Sequence, residues 1–124
     1  MDQNVLVSSG HALVRALDAA GIPPKVAMWA HNTETDTWKL WLVPPANITD
    51  KREFYRKVAE VISRNRTEMG GIDVSDTEML PDTHPAVVGL KAFITMPGLG
   101  TVNFSGNRLN DYYLPDGVIL RVAA

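Results

Sequence analysis

The sequence contains no cysteine, and this absence excludes disulfide bonds, thiolate metal sites and a cysteine nucleophile. It also has no apolar run near the roughly 20 residues that a membrane-spanning helix requires. The opening residues Met1–Asn4 lack the basic segment that begins a signal peptide. These absences predict a cytoplasmic protein with no membrane partner, and a chain without cysteine is compatible with the reducing cytosol of a bacterium.

Positive charge is not in excess either. The sequence has 12 Lys and Arg against 14 Asp and Glu, which gives a formal net charge of −2. This balance removes the global electrostatic argument for a nucleic-acid partner. Signatures of catalysis are also missing: there is no Gly-x-Ser-x-Gly elbow, and Gly98-x-Gly100 precedes a strand pattern rather than a helix N-terminus. No cofactor and no catalytic residue is therefore predicted, and whether the protein is an enzyme stays open.

Length and composition are those of one globular domain. A chain of 124 residues can bury roughly two-thirds of its unfolded surface, and 45% hydrophobic and 21% charged residues are typical of a folded protein. The sequence contains no repeat, low-complexity tract or linker that would divide it. We therefore predict a single α+β domain over residues 1–124.

All three tryptophans lie between Val26 and Pro45. Two runs rich in β-forming residues flank a polar segment, Thr33–Asp36, in which Asp and Thr suit turn positions. The pattern predicts a β-hairpin. Its antiparallel register pairs Asn32 with Thr37, Ala30 with Lys39, Trp29 with Leu40 and Met28 with Trp41.

Neither face of this hairpin is polar. One face carries Ala27, Trp29, His31, Trp38, Leu40 and Leu42, and the other carries Val26, Met28, Ala30, Lys39, Trp41 and Val43. A hairpin in a small domain normally packs one face on the core and exposes the other to solvent. Because Lys39 is the only charged side chain within the strands, either both faces are covered or one of them contacts a partner. We expect the Trp29 face to meet the core and the Trp41 face to be the contact surface.

Two helices are predicted on either side of the hairpin. Apolar residues recur at helical spacing between Asp2 and Ala20, and Ser8 or Ser9 offers an alternative, later start for this helix. The second helix begins after an N-cap at Thr49 or Asp50, and one stripe of it carries Phe54, Val58, Val61 and Ile62. These elements, followed by strands, predict a two-layer α+β fold in which both long helices pack on one face of a mainly antiparallel sheet.

The second half of the chain has weaker patterns. We predict a strand at Ile72–Met79 and a short helical turn that starts at Pro85. Two further hairpins are predicted, one that joins Leu90–Met96 to Thr101–Ser105 and one that joins Tyr112–Leu114 to Val118–Val122 through a Pro115-Asp116-Gly117 turn.

Two charged segments suggest alternative functions. An acidic segment contains Asp73, Asp76, Asp82 and His84, which could hold a divalent metal for a hydrolase, although their spacing matches no ligand motif. Residues 50–66 hold six of the twelve Lys and Arg residues. Arg52, Arg56, Lys57 and Arg64 could contact phosphates in a nucleic-acid accessory protein, but the i,i+4 spacing of acidic residues among them favours charge pairing along the helix.

The leading functional hypothesis is a non-enzymatic domain that acts through protein association, with itself or with a partner. Its support is the hairpin with two apolar faces and the pair Tyr112-Tyr113, because aromatic side chains are typical anchors of interface cores. The predicted interface residues are Trp41, Lys39, Met28, Tyr112 and Tyr113. No metal site is favoured.

Overall fold

The chain is built around a sheet in which the first strand of the predicted hairpin is central. The computed structural model describes residues 3–105, 108–109, 112–113 and 115–123. Within these ranges the helices are α1 (Gln3–Ala19), α2 (Lys51–Arg64) and α3 (Pro85–Phe93). The strands are β1 (Val26–Asn32), β2 (Thr37–Val43), β3 (Thr77–Met79), β4 (Val102–Phe104), β5 (Arg108–Leu109), β6 (Tyr112–Tyr113) and β7 (Gly117–Val122).

In the described ranges, five strands form the main sheet in the order β3-β2-β1-β7-β4, and β5 pairs with β6 in a separate ladder. The β1–β2, β1–β7 and β4–β7 pairs are antiparallel, whereas β2 and β3 are parallel. The predicted α+β class with a mainly antiparallel sheet is therefore confirmed.

The predicted hairpin is present with the predicted register. β1 and β2 pair Asn32 with Thr37, Trp29 with Leu40 and Met28 with Trp41. In the turn, the side-chain oxygen of Asn32 accepts a hydrogen bond from the main-chain N–H of Glu34 at 3.0 Å. This contact is the Asx-type bond that lets a short polar side chain stabilise a turn.

The first core joins α1 and α2 to one face of the hairpin. The predicted stripe of α2, Phe54, Val58, Val61 and Ile62, is buried. Its members form one cluster with Leu6, Leu13 and Leu17 of α1, with Trp29, Leu40 and Leu42 of the hairpin, and with Val118 and Leu120 of β7. Asp50 begins α2 as its N-cap, because its carboxylate accepts from the main-chain N–H of Arg52 at 3.0 Å.

The predicted late start of α1 at Ser8 or Ser9 is wrong, because α1 begins at Gln3 and passes through Gly10. A Cβ atom at Gly10 would lie 2.6 Å from Cδ1 of Leu120 and 2.7 Å from the indole nitrogen of Trp29. The glycine thus allows the helix to approach the sheet closely, and the indole N–H of Trp29 donates to the carbonyl of Leu6 at 2.7 Å.

A second core lies on the other face of the sheet. Alternate residues of the same strands, among them Val26, Met28, Val43 and Ile119, cluster with Ala86, Val87 and Leu90 of α3. Residues whose side chains point to opposite sides of one strand thus enter two different cores. The second face of the sheet is thus covered by α3, which begins at Pro85, where a short helical turn is predicted, and continues to Phe93.

The predicted strand Leu90–Met96 is wrong. Its first half belongs to α3, which starts with Pro85 at the first helical turn, and His84 caps this helix by accepting from the main-chain N–H of Ala86 at 3.1 Å. Apolar runs of this length fit a buried helix and a strand equally well. The hairpin predicted between Leu90–Met96 and Thr101–Ser105 does not form, because β4 pairs with β7 instead.

Two other predictions need correction. Residues 72–79 do not form one long strand, because Asp73 and Asp76 cap each other around a 3-10 turn at Val74–Asp76, and only β3 follows. The predicted last hairpin does not form either: β6 pairs with β5, and β7 pairs with β1 and β4. Leu114, part of that prediction, lies outside the described residues. None of the helices in the described ranges has both the length and the apolarity needed to cross a bilayer.

Candidate functional site

An open depression of about 550 Å³ lies at the turn end of the hairpin. It is lined by Ala30, His31, Asn32, Thr33, Glu34, Lys39, Trp41, Glu78, Pro115 and Asp116. We call this surface the Trp41 groove. It brings together the predicted interface residues Trp41 and Lys39, one residue of β3 and the segment that leads into β7.

The Trp41 side chain is half-buried, with one part on the second core. Its ring centroid lies 6.0 Å from that of His84, and the two planes are tilted by 55°. His84 is fixed in turn as the N-cap of α3. The N-terminal end of α3 therefore supports Trp41 from one side, and the remainder of the ring lines the groove.

Lys39 is half-buried beside Trp41, and its ammonium group donates a hydrogen bond to the carbonyl oxygen of Ser75. This bond links β2 to the 3-10 turn before β3. The charge of Lys39 is therefore directed toward a main-chain oxygen at the edge of the groove.

The other charged residues that line the groove are acidic. Glu34 comes from the hairpin turn, Glu78 from β3 and Asp116 from the segment before β7. Glu78 stands next to Trp41 in the parallel ladder, so both side chains point to the same side of the sheet. Among the described residues of the lining, one ammonium group stands against three carboxylates, so these side chains together carry a net negative charge.

His31 is oriented by two contacts at the groove. Its ring stacks on the ring of Trp38 with centroids 4.6 Å apart, and its Nε2 lies 2.9 Å from a carboxylate oxygen of Asp36. Both contacts are made to residues of the hairpin itself. The imidazole thus stabilises the turn of the hairpin.

Met28, another predicted interface residue, is not part of the groove surface. Met28 is fully buried beneath it, in the second core, and so has no exposed surface to offer a partner. Tyr112 and Tyr113 form β6, where they pair with Leu109 and Arg108 of β5. The side chains of these two tyrosines lie outside the described part of the structure.

The acidic segment does not assemble a shared ligand set. Asp73 and Asp76 are used in the reciprocal cap of the 3-10 turn, and His84 caps α3. The carboxylate of Asp82 forms ion pairs with the ammonium groups of Lys91 and Lys25, and the nitrogen of Lys25 lies 3.5 Å from the nearer carboxylate oxygen. The hydrogen bond from Lys91 lowers the pKa of Asp82, and Lys25 adds to this effect.

The described residues contain no group of three or more His, Asp or Glu side chains that could hold a metal ion. The alternative of a metal site at Asp73, Asp76, Asp82 and His84 therefore has no geometric support, because each residue is used locally in a cap or an ion pair.

Two of the four predicted basic residues of α2 form ion pairs along its own surface. A guanidinium nitrogen of Arg56 lies 3.1 Å from a carboxylate oxygen of Glu60, and the ammonium nitrogen of Lys57 lies 3.9 Å from a carboxylate oxygen of Glu53. These are the i,i+4 pairs that the sequence predicts. Arg52 and Arg64, the other two predicted phosphate contacts, are exposed at opposite ends of α2. They therefore do not form one cluster with each other.

Sequence reasoning found Trp41 and Lys39 but missed Glu34, Glu78 and Asp116. Glu34 could have been found, because its place in the predicted turn puts it at the end of the hairpin. Glu78 and Asp116 reach the groove through pairing between segments distant in sequence, as β3 lies beside β2 and β7 beside β1. No local pattern signals such pairing.

Comparison with known proteins gives no match: no protein-family model, curated protein or solved structure is similar enough to the chain. The groove itself is therefore the basis for proposing a function.

Proposed function

We propose that the protein is a non-enzymatic binding domain that associates with another protein through the Trp41 groove. The observation that carries this proposal is a partly exposed tryptophan in an open depression of about 550 Å³ with charged residues around it. Tryptophan is the residue type most enriched among the side chains that dominate binding energy, and such anchors are typically surrounded by polar residues.

The support beneath Trp41 favours a preformed contact surface. Its cross-strand neighbour Met28 is completely buried, and α3 covers the adjoining part of the same face. A ring held on a rigid sheet loses little conformational freedom when it binds. The charged groups of the groove also favour binding over catalysis, because Lys39 donates to a main-chain carbonyl and His31 contacts Trp38 and Asp36.

Replacing Trp41 by glutamate should abolish the association while leaving the fold largely intact. We expect a loss of about 2 kcal/mol or more, or about 30-fold in affinity, because a buried aromatic anchor is exchanged for a charge that the complex must desolvate. Immobilised wild-type protein should retain a specific protein from an extract of the source organism, and Trp41→Glu should not retain it.

Val88→Glu is the matched control, since Val88 is a 50% exposed apolar residue of α3 outside the groove lining. This variant should retain the same protein as the wild type. Equal retention by wild type and Trp41→Glu would contradict the proposal. Circular dichroism of both variants separates loss of contact from loss of fold, and an unfolded Trp41→Glu would show that Trp41 is required by the core.

Self-association through the same groove is distinguished by sedimentation velocity of the purified protein over a wide concentration range. A wild type that forms dimers, with Trp41→Glu monomeric, would identify a second copy as the partner. A wild type that stays monomeric at high concentration leaves a different protein as the partner.

A further inference from the structure

Two carboxylates of the groove lining, Glu34 and Glu78, have no cationic partner in the described part of the chain. Neither of them forms an ion pair with any residue in the described ranges. Among the described residues of the lining, Lys39 is the one cation, and it donates to the carbonyl oxygen of Ser75. The negative charge of Glu34 and Glu78 is thus left for a ligand to neutralise.

The position of Glu78 beside Trp41 fits one chemical group in particular. The two residues are neighbours in the parallel β2–β3 ladder, where adjacent strands run about 4.8 Å apart. A guanidinium group that stacks on an indole ring lies within about 6 Å of the ring centroid. The same group can also donate two parallel hydrogen bonds to a carboxylate, which an ammonium group cannot do.

We infer that the Trp41 groove takes a cationic, arginine-bearing segment of its protein partner. The inference deepens the proposed function and rests on it. An arginine side chain would lie against the exposed part of the Trp41 ring and donate to Glu78, and a second cation along the segment would meet Glu34. An acidic segment would be repelled by the same groups, so the charge of the groove also selects against wrong partners.

The test uses the full chain and synthetic peptides of matched length: hepta-arginine, hepta-lysine and hepta-glutamate. Binding is followed by amide chemical shifts and by calorimetry at low and at high salt. We expect hepta-arginine to bind with shifts centred on residues 30–34, 39–41 and 78, hepta-lysine to bind more weakly, and hepta-glutamate not to bind. Affinity should fall steeply with salt, because the contacts are largely electrostatic.

Charge reversal locates the site. Glu78→Lys should weaken hepta-arginine binding about tenfold or more, because it removes one charged contact and adds a repulsive one. Glu68→Lys is the matched control, since it makes the same change in net charge at an exposed residue of the Arg66–Glu68 turn, outside the groove lining. Trp41→Leu, which keeps an apolar side chain but removes the ring, should reduce the preference for arginine over lysine, because only the hydrogen bonds to Glu78 then distinguish the two side chains.

Equal weakening by Glu78→Lys and Glu68→Lys would overturn the inference, because binding would then follow net charge alone. No binding of hepta-arginine would overturn it as well. Either result leaves the proposed function intact if Trp41→Glu still loses a partner that Val88→Glu retains, so the two proposals fail separately. Salt-sensitive dimers that disappear in Arg52→Glu would identify α2 of a second copy as the occupant, and this too would overturn the inference of a different protein.

Discussion

Gly117→Ala should destabilise the protein by about 3 kcal/mol or more, since a single added methyl group would collide with the main chain of the neighbouring strand. A Cβ atom at Gly117 would lie 1.8 Å from the carbonyl oxygen of Trp29 and 3.3 Å from Cα of Ala30. Main-chain atoms in the middle of a sheet cannot turn aside as a flexible side chain can. The β1 and β7 strands would have to separate at this point.

Gly98→Ala provides the matched control. A Cβ atom at Gly98 would meet nothing within 4 Å, so this second glycine-to-alanine change should have little effect on stability. Urea unfolding of the wild type and the two variants gives the comparison. If Gly117→Ala were as stable as Gly98→Ala, the close approach of β7 to β1 described here would be incorrect.

The same substitution should also weaken binding at the Trp41 groove. Gly117 pairs with Ala30 across the β1–β7 ladder, and the main-chain N–H of His31 donates to the carbonyl of Asp116 at 2.8 Å. Ala30, His31 and Asp116 all line the groove. Separation of the strands would therefore change the shape of the groove before the whole fold is lost.

Local signals made the hairpin and α2 predictable. Each strand of the hairpin is rich in β-forming residues, and the polar segment between them has the residue types of a turn, so register follows from the length of that segment. In α2 the cap at Asp50 and the stripe that starts with Phe54 point to the same helix. The secondary structure of a segment can be predicted from its own residues when its capping residue, its hydrophobic period and its turn residues all indicate the same element.

The second half of the chain could not be predicted in the same way, because its elements are decided by distant contacts. α3 depends on burial of Ala86, Val87 and Leu90 against the sheet. β7 was joined by prediction to the residues just before it, but its partners are β1 and β4. The apparent turn at Gly117 is the start of a strand in which glycine is required for close packing.

The candidate site also has one part that local sequence patterns predict and one part that depends on distant contacts. Trp41 and Lys39 were predicted because alternation along a strand places them on one face, and Met28 was included for the same reason. Alternation cannot show that α3 covers the end of that face at which Met28 lies. Nor can it show that β3 brings Glu78 beside Trp41. The charge of the groove, on which the inferred preference for a cationic partner depends, is thus a property of the tertiary fold.

Arg121 presents a charged side chain near the end of β7, a strand whose residues are all buried. The side chain is 10% exposed, and its two terminal nitrogens each donate to a carboxylate oxygen of Asp18 at 2.8 Å. These hydrogen bonds raise the pKa of Arg121 above its usual value. Its Nε is buried and has no hydrogen-bond partner among the described residues. Asp18 therefore supplies the hydrogen bonds and the negative charge that compensate the burial of the guanidinium group.

Asp18→Ala should therefore cost about 2 to 4 kcal/mol of unfolding free energy, because it leaves a buried cation without its partner. Arg121→Met should cost less, since it removes the charge and keeps an apolar chain of similar length. The decisive variant is Asp18→Ala combined with Arg121→Met, which should recover most of the loss, because a buried ion pair can be exchanged for apolar packing at little cost. Urea unfolding of all four proteins measures the coupling between the two sites. A double variant no more stable than Asp18→Ala alone would show that Asp18 stabilises α1 by itself, and that the cost does not arise from an uncompensated charge on Arg121.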